Sequence, residues 1–196
     1  MWQRWLCVLL LGTFAGSVQA QGIRFDPVYP LGSGPNNTVF AMERLPDGRV
    51  WVGGNFTTYQ GTPAVRLIRI FPNAQRDTTA NTGAGADGRI NVMRLLPDGK
   101  LLIGGLFVLY NNQVARGVAR VLPDGNIDPS WQTGFGFNNE VLAIESLTDS
   151  GVLVGGFFSQ FQQLPVPQPV KLRYNGQRDT TFNAGGTGTT GLVEVM

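Results

Sequence analysis

Carboxylates are the main groups with catalytic reach in this chain, because its 196 residues include no His and one Cys. Zinc clusters, haem ligation and Ser-His or Cys-His nucleophilic catalysis lack their residues. Glu43 and Glu145 are the acidic pair that could serve glycoside hydrolysis, which needs two carboxyl groups flanking one bond. Asp124, Asn126 and Asp128 bring oxygens close together, as a hard cation such as calcium requires. The longer loop and terminal Glu of a dedicated site are missing, so turn chemistry is expected there and no metal is assigned. The glycine-rich stretches 83–88 and 185–188 have neither the Lys-Ser/Thr of a phosphate loop nor a following helix pattern, so they read as connections. No catalytic residue and no cofactor follow from this set.

The elements that must position any site come from an internal repeat. The chain superimposes on itself at a shift of 51 residues without a gap: Asp26, Asp77, Asp128 and Asp179 mark the register. Gly53-Gly54 returns as Gly104-Gly105 and Gly155-Gly156, followed each time by Phe56, Phe107 and Phe158, then Tyr59, Tyr110 and Phe161. Leu45-Pro46-Asp47-Gly48 matches Leu96-Pro97-Asp98-Gly99 and weakens to Leu147-Thr148-Asp149-Ser150. Basic residues recur at Arg69, Arg120 and Lys171, each eight residues before the next Asp. Glu43 and Glu145 occupy near-equivalent positions of this repeat, so they face the same way in different units rather than across a bond.

Each unit reads as short antiparallel strands. Residues 39–45, 90–95 and 141–147 form a first strand, closed by a turn in which Pro presets φ and Gly accepts a positive φ. Val50-Trp51-Val52, Leu101-Leu102-Ile103 and Val152-Leu153-Val154 form a second strand, apolar on both faces and therefore covered from both sides. The glycine pair after it admits a close backbone or a kink. A third strand carries Ile68 and Ile70, Ala119 and Val121, or Val170 and Leu172, and a short polar fourth strand surrounds the recurring Asp. No segment shows sustained helical periodicity. The expected fold class is all-β, with propeller-like blades of three to four antiparallel strands, in an open and incomplete propeller. Val52, Ile103 and Val154 should be buried at equivalent places.

The segment from Leu96 to Phe107, with Ala119 to Trp131 after it, resembles the delta-60 repeat family: turn, double glycine and Asp-x-x-aromatic occur together. The resemblance spans 26–196 and divides it into units 26–76, 77–127 and 128–178 and a partial unit 179–196. It implies a secreted bacterial repeat scaffold of β-propeller type and supplies no catalytic residues. The chain departs from the pattern at Asp149-Ser150-Gly151 and at Ala80, which replaces the aromatic. The double glycine also resembles kelch blades, although the spaced Tyr and Trp of that motif are missing. A kelch- or WD-type propeller and an open β-solenoid are the other architectures compatible with the pattern.

Residues 1–20 read as a secretory signal, with Arg4, an apolar run of about ten residues and small residues ending at Ala20, followed by an N-terminal segment 21–25. That run is half the ~20 residues needed to span a bilayer, so a secreted or cell-surface protein without a membrane span is expected. Loss of Arg4 and Cys7 with the signal leaves a near-neutral surface, which offers no basic stripe to nucleic acid.

Arg69, Arg120 and Lys171 are expected to pair with Asp77, Asp128 and Asp179 within each unit rather than to ring a ligand. The least repetitive segments, 60–66, 111–117 and 162–168, follow the recurrent aromatic, and recognition usually sits in loops that vary on a constant scaffold. Tyr59, Gln60, Tyr110, Asn111, Asn112, Phe161 and Gln162 are therefore the expected contacts with an extracellular protein or carbohydrate. A non-enzymatic binding scaffold is the favoured reading, and part of a secreted carboxylate-dependent hydrolase is the alternative. Because three units and a fraction fall short of the about four blades that closure needs, further repeats in the same polypeptide are expected.

Overall fold

Val, Ile and Leu runs cut by Pro-Asp-Gly turns leave each stretch too short for a helix and well suited to strand pairing. The structure is a computed structural model that describes residues 34–183, and within them every regular element is a strand. The expected signal peptide, the 21–25 segment, Asp26 and the partial unit beyond residue 183 lie outside the described residues. No helix among the described residues is long and apolar enough to cross a membrane.

Three units repeat one plan. In the first, β1 (Val39–Arg44) pairs with β2 (Val50–Gly54), the hairpin of β3 (Thr58–Tyr59) and β4 (Thr62–Pro63) follows, and β5 (Leu67–Ile70) returns beside β2. The second unit uses β6 (Arg89–Leu95), β7 (Leu101–Leu106), β8 (Leu109–Tyr110), β9 (Gln113–Val114) and β10 (Val118–Val121) in the same order. The third uses β11 (Val141–Ser146), β12 (Val152–Gly156), β13 (Gln160–Phe161), β14 (Leu164–Pro165) and β15 (Val170–Leu172). Each three-stranded sheet is antiparallel with the double-glycine strand in its centre. These are open propeller-like blades.

The expected fourth strand is reduced to single bridges, Ile70 to Arg76, Val121 to Ile127 and Leu172 to Arg178. Its growth stops because the next residue is the recurring Asp, whose side chain accepts a hydrogen bond from the backbone two residues on and so turns the chain. The small hairpins are the opposite case: strands of two residues are too short to show alternation in sequence, and the second strand of each lies inside a segment that reads as a loop.

Val52, Ile103 and Val154 are all buried on the central strands. The apolar clusters explain why those strands are apolar on both faces. Trp51 and Leu67 of the first unit pack with Ile90, Met93 and Ile103 of the second, and Leu102 and Val118 of the second pack with Val141, Ile144 and Val154 of the third. Burial between consecutive units thus adds to burial within each, at about 1.5–3 kcal/mol for a fully buried Val, Leu or Ile.

The two glycines of each pair have different reasons. A Cβ on Gly104 would lie 2.7 Å from Val141 and 2.8 Å from Ile144, side chains of the next unit, and Gly53 meets Met93 and Ile90 in the same way. A Cβ on Gly105 would lie 2.0 Å from the carbonyl oxygen of Arg89, with the matching contacts at 2.1 Å for Gly54 and Thr38 and 2.2 Å for Gly156 and Glu140. That carbonyl comes close because the pairing slips by one residue just beyond it, at Phe40, Asn91 and Leu142. The first glycine admits the neighbouring unit, and the second admits a bulged backbone.

The departure at 149–151 keeps the turn. Ser150 donates its backbone N–H to Leu147 as Gly48 and Gly99 do to Leu45 and Leu96, and it takes the positive φ of 63° where they have glycine. Another substitution is chemical. Gly54 and Gly105 donate to the backbone carbonyls of Arg66 and Gly117, whereas Gly156 donates to Oε1 of Gln168, whose Nε2 in turn donates to the carbonyl of Phe158. The side-chain amide of Gln168 stands in for a peptide group of the other units.

Candidate functional site

The recurring basic and acidic residues form a closed box. Asp77 Oδ2 accepts from Arg69 Nε at 2.6 Å and from Arg49 Nη1 at 2.8 Å, while its Oδ1 accepts from the Thr79 hydroxyl and N–H. Asp128 repeats this with Arg120 Nε at 2.8 Å, Lys100 at 3.1 Å and Ser130. Both carboxylates and both arginines are buried. Burial pushes the Asp77 and Asp128 carboxyls up, but the hydrogen bonds from Thr79 and Ser130 and from the cations outweigh it and hold both well below the usual range. The pairing expected within each unit is present, and it is more buried than a surface ion pair.

The same arginines also grip the next unit. Arg69 Nη1 donates to the carbonyl of Pro123, and Arg120 Nη1 donates to the carbonyl of Tyr174 at 2.5 Å. The guanidinium of Arg69 lies over Trp51, and that of Arg120 over Trp131 and Tyr174. In the third unit a lysine stands at this place, with Asp149 as its partner and Asp179 at 3.6 Å.

Glu43 and Glu145 are separated by a cation. Arg94, at the same repeat position in the intervening unit, pairs with Glu145, and its charge acts on Glu43, whose carboxyl burial nevertheless pushes up. At the start of β6, Arg89 holds Glu140 at 2.7 Å, and Asn91 donates to the same carboxylate. The Arg89–Glu140 and Arg94–Glu145 pairs both join equivalent positions of the second and third units, from β6 to β11 and the residue before it. Of the oxygens considered for calcium, those of Asp124 accept from the N–H and side-chain amide of Asn126, and those of Asp128 belong to the box.

The expected contact residues divide into two groups. Tyr59, Tyr110 and Phe161 are buried, and their rings pack in the core. Tyr59 donates its hydroxyl to the carbonyl of Ala74 at 2.6 Å and Tyr110 to that of Gly125 at 2.7 Å, and burial raises both phenols above their ordinary range. Phe161 instead packs 4.8 Å from the ring of Phe137. An aromatic residue recurring in every unit serves the unit, which is the signal that could have assigned these rings to the core.

Gln60, Asn111, Asn112 and Gln162 sit at the hairpin tips. Both central residues of each two-residue turn have positive φ: Gln60 and Gly61, Asn111 and Asn112, Gln162 and Gln163. That is the signature of the turn that matches strand twist. The first tip residue is anchored, since Gln60, Asn111 and Gln162 donate their N–H groups to the carbonyls of Gly34, Gly85 and Gly136. Below each hairpin, Asn36, Asp87 or Asn138 accepts two backbone N–H groups through one side-chain oxygen. The second residue of each tip, Gly61, Asn112 or Gln163, is exposed.

Beside the third tip lies a cleft of about 270 Å³ between the second and third units, lined by Arg116, Phe135, Gly136, Phe137, Asn138, Gln160 and Gln163. Arg116 and Gln163 fall in the variable segments 111–117 and 162–168 but are not among the expected contacts, and Phe135 lies outside those segments.

Residues 45–79 and 96–130 match the family described as "Domain of unknown function (DUF5122) beta-propeller", and residues 33–56 match "Two component regulator propeller". The matches place the repeats of this chain with propeller-repeat families. A search of curated proteins gave no match. Among solved structures, a crystal structure of a protein of unknown function from Bacteroides caccae is similar, with 15% identity over 73% of this chain and a TM-score of 0.44. The chain spans half the length of that protein.

Proposed function

We propose that this chain is a non-enzymatic, extracellular scaffold of delta-60-type propeller repeats that binds a ligand at its hairpin-tip end. The observation that carries the reading is the division of labour among polar groups. The recurring Arg, Asp, Glu and Tyr side chains are used in holding units together, whereas the tips keep non-glycine residues in the left-handed region at Asn111, Asn112, Gln162 and Gln163. Asn-Gly would make that turn with less strain. Asn111 and Gln162 are half-buried, with Asn111 accepting the N–H of Ala84 and Gln162 donating to the carbonyl of Thr133, whereas Asn112 and Gln163 are exposed, so strain retained at the second tip position marks side chains kept for what they touch.

The secretory signal read from residues 1–20 supports an extracellular place for this scaffold. Arg94, at the repeat position between Glu43 and Glu145, pairs with Glu145 and acts by its charge on Glu43, which supports a binding role over hydrolysis. The test is a glycan and protein array run beside a polysaccharide hydrolysis screen. The expected result is array binding that Asn112→Gly with Gln163→Gly removes without loss of thermal stability. Hydrolysis that disappears in Glu43→Gln or Glu145→Gln, or array binding indifferent to the tips, would overturn the reading.

A further inference from the structure

We infer that the cleft beside Gln163 is a subsite for a uronate-bearing glycan, with Arg116 taking the carboxylate and Phe135 the face of the sugar ring. This rests on the tip-binding reading above and names a ligand class for one of its three tips.

Arg116 is the residue that points to an anion. Like Arg44, Arg66, Arg76 and Arg178 it takes part in none of the ion pairs among the described residues, and of these it is the one that lines this cleft. Its backbone is fixed, because its carbonyl accepts the N–H of Phe137 at 3.1 Å, so the root of the side chain is held at the cleft wall. The equivalent positions in the other units are Val65 and Pro167, so the repeat architecture does not require a cation there. The guanidinium fork matches a carboxylate in two parallel hydrogen bonds.

The other walls favour a sugar. Phe135 is 56% exposed, where Ala84 stands in the preceding unit. An exposed ring offers a flat apolar face to the C–H side of a pyranose. Gln160 and Gln163 add amide groups that can both donate to and accept from hydroxyls. Asp87 lies in an adjoining cleft that Arg116 also lines, and its Oδ1 is occupied by the N–H groups of Val108 and Leu109. An acidic peptide would satisfy Arg116 but would leave the amides and the ring with less to do, so it serves as the contrasting probe.

The experiment is calorimetric titration of the chain with an oligogalacturonate, a maltooligosaccharide of equal length and a poly-glutamate peptide. The expected result is binding of the oligogalacturonate about tenfold or more tighter than the neutral sugar, weakened by salt and lost in Arg116→Ala. Gln163→Gly should weaken it several-fold while the melting temperature holds or rises, because glycine suits the positive φ there. A merely structural role for Gln163 would not separate those two readouts. Equal binding of both sugars, preference for the peptide, no uronate binding, or an unchanged affinity in Arg116→Ala would overturn the inference. Array binding that depends on the tips but not on Arg116 would remove this inference alone and leave the broader reading standing.

Discussion

Arg120 and Tyr174 belong to different units and meet twice. The guanidinium donates to the Tyr174 carbonyl at 2.5 Å and lies 4.3 Å from the centre of its ring, while Nε of the same Arg120 holds Asp128. One side chain therefore closes its own unit and fastens it to the next. Replacing it with lysine keeps the charge but loses the fork, and replacing it with alanine leaves Asp128 buried with Lys100 as its remaining cation. Arg120→Ala is expected to cost about 3–5 kcal/mol and Arg120→Lys to fall between it and the parent chain. Urea denaturation of both variants checks the order, and a Lys variant as stable as the parent would show that charge alone suffices.

Acid should loosen the same joint. The folded-state carboxyls of Asp77 and Asp128 titrate below their unfolded values, so their contribution is fully present above the unfolded value of ~3.9 and is lost as pH falls toward the folded ones. Denaturation midpoints are expected to be insensitive to these groups above about pH 5 and to drop below about pH 4. In Asp128→Asn the curve should be flatter over that acid range, although the variant starts from a lower stability. A parent curve as flat as that of the variant would contradict the assignment.

The glycine pair predicts an unequal response to one methyl group. At Gly104 the added carbon meets side-chain ends of Val92, Val141 and Ile144, which can shift, and the expected cost is about 1–3 kcal/mol. At Gly105 it meets the Arg89 carbonyl, whose displacement would undo the bulge and its ladder, so Gly105→Ala should cost more. Comparing the two melting temperatures decides the point. Equal losses would mean that the backbone at the bulge yields as readily as a side chain.

Tyr110→Phe removes a buried hydroxyl that donates to Gly125, as Tyr59 does to Ala74, and the third unit already carries Phe161 there. The expected loss is about 0.5–1.5 kcal/mol, with no effect on any ligand bound at the tips. A ligand-affinity loss without a stability loss would return Tyr110 to the surface role that its position in sequence suggested.

The reach of sequence reasoning in this chain follows from what repeats. The 51-residue register located the central strands, the Arg69 and Asp77 pairing and the sites of close approach at both glycines. It was silent on the third contact of Arg120, because a backbone carbonyl carries no residue identity to read. It also hid the small hairpins, since Gln162-Gln163 lacks the Asn-Gly signature of the turn it makes. Tyr59, Tyr110 and Phe161 read as ligand rings because they border the variable segments, whereas their recurrence belonged with the core. Arg116 lies within the variable segment 111–117 without standing out from it, and Phe135 lies outside every such segment, so the cleft they share is visible only when neighbouring units are seen side by side.

The pairing of Arg89 with Glu140, and of Arg94 with Glu145, has a consequence for how such arrays can diversify after gene duplication. Both pairs join a position to its own copy in the next unit, 51 residues on. Perfect copies of the second unit would set Arg89 against Arg89 and Arg94 against Arg94, converting two attractions into two repulsions at every junction. Fidelity of copying is thus penalised at these two sites while it is rewarded at the glycines, and a consensus array assembled from one unit would need opposite charges written into alternate members.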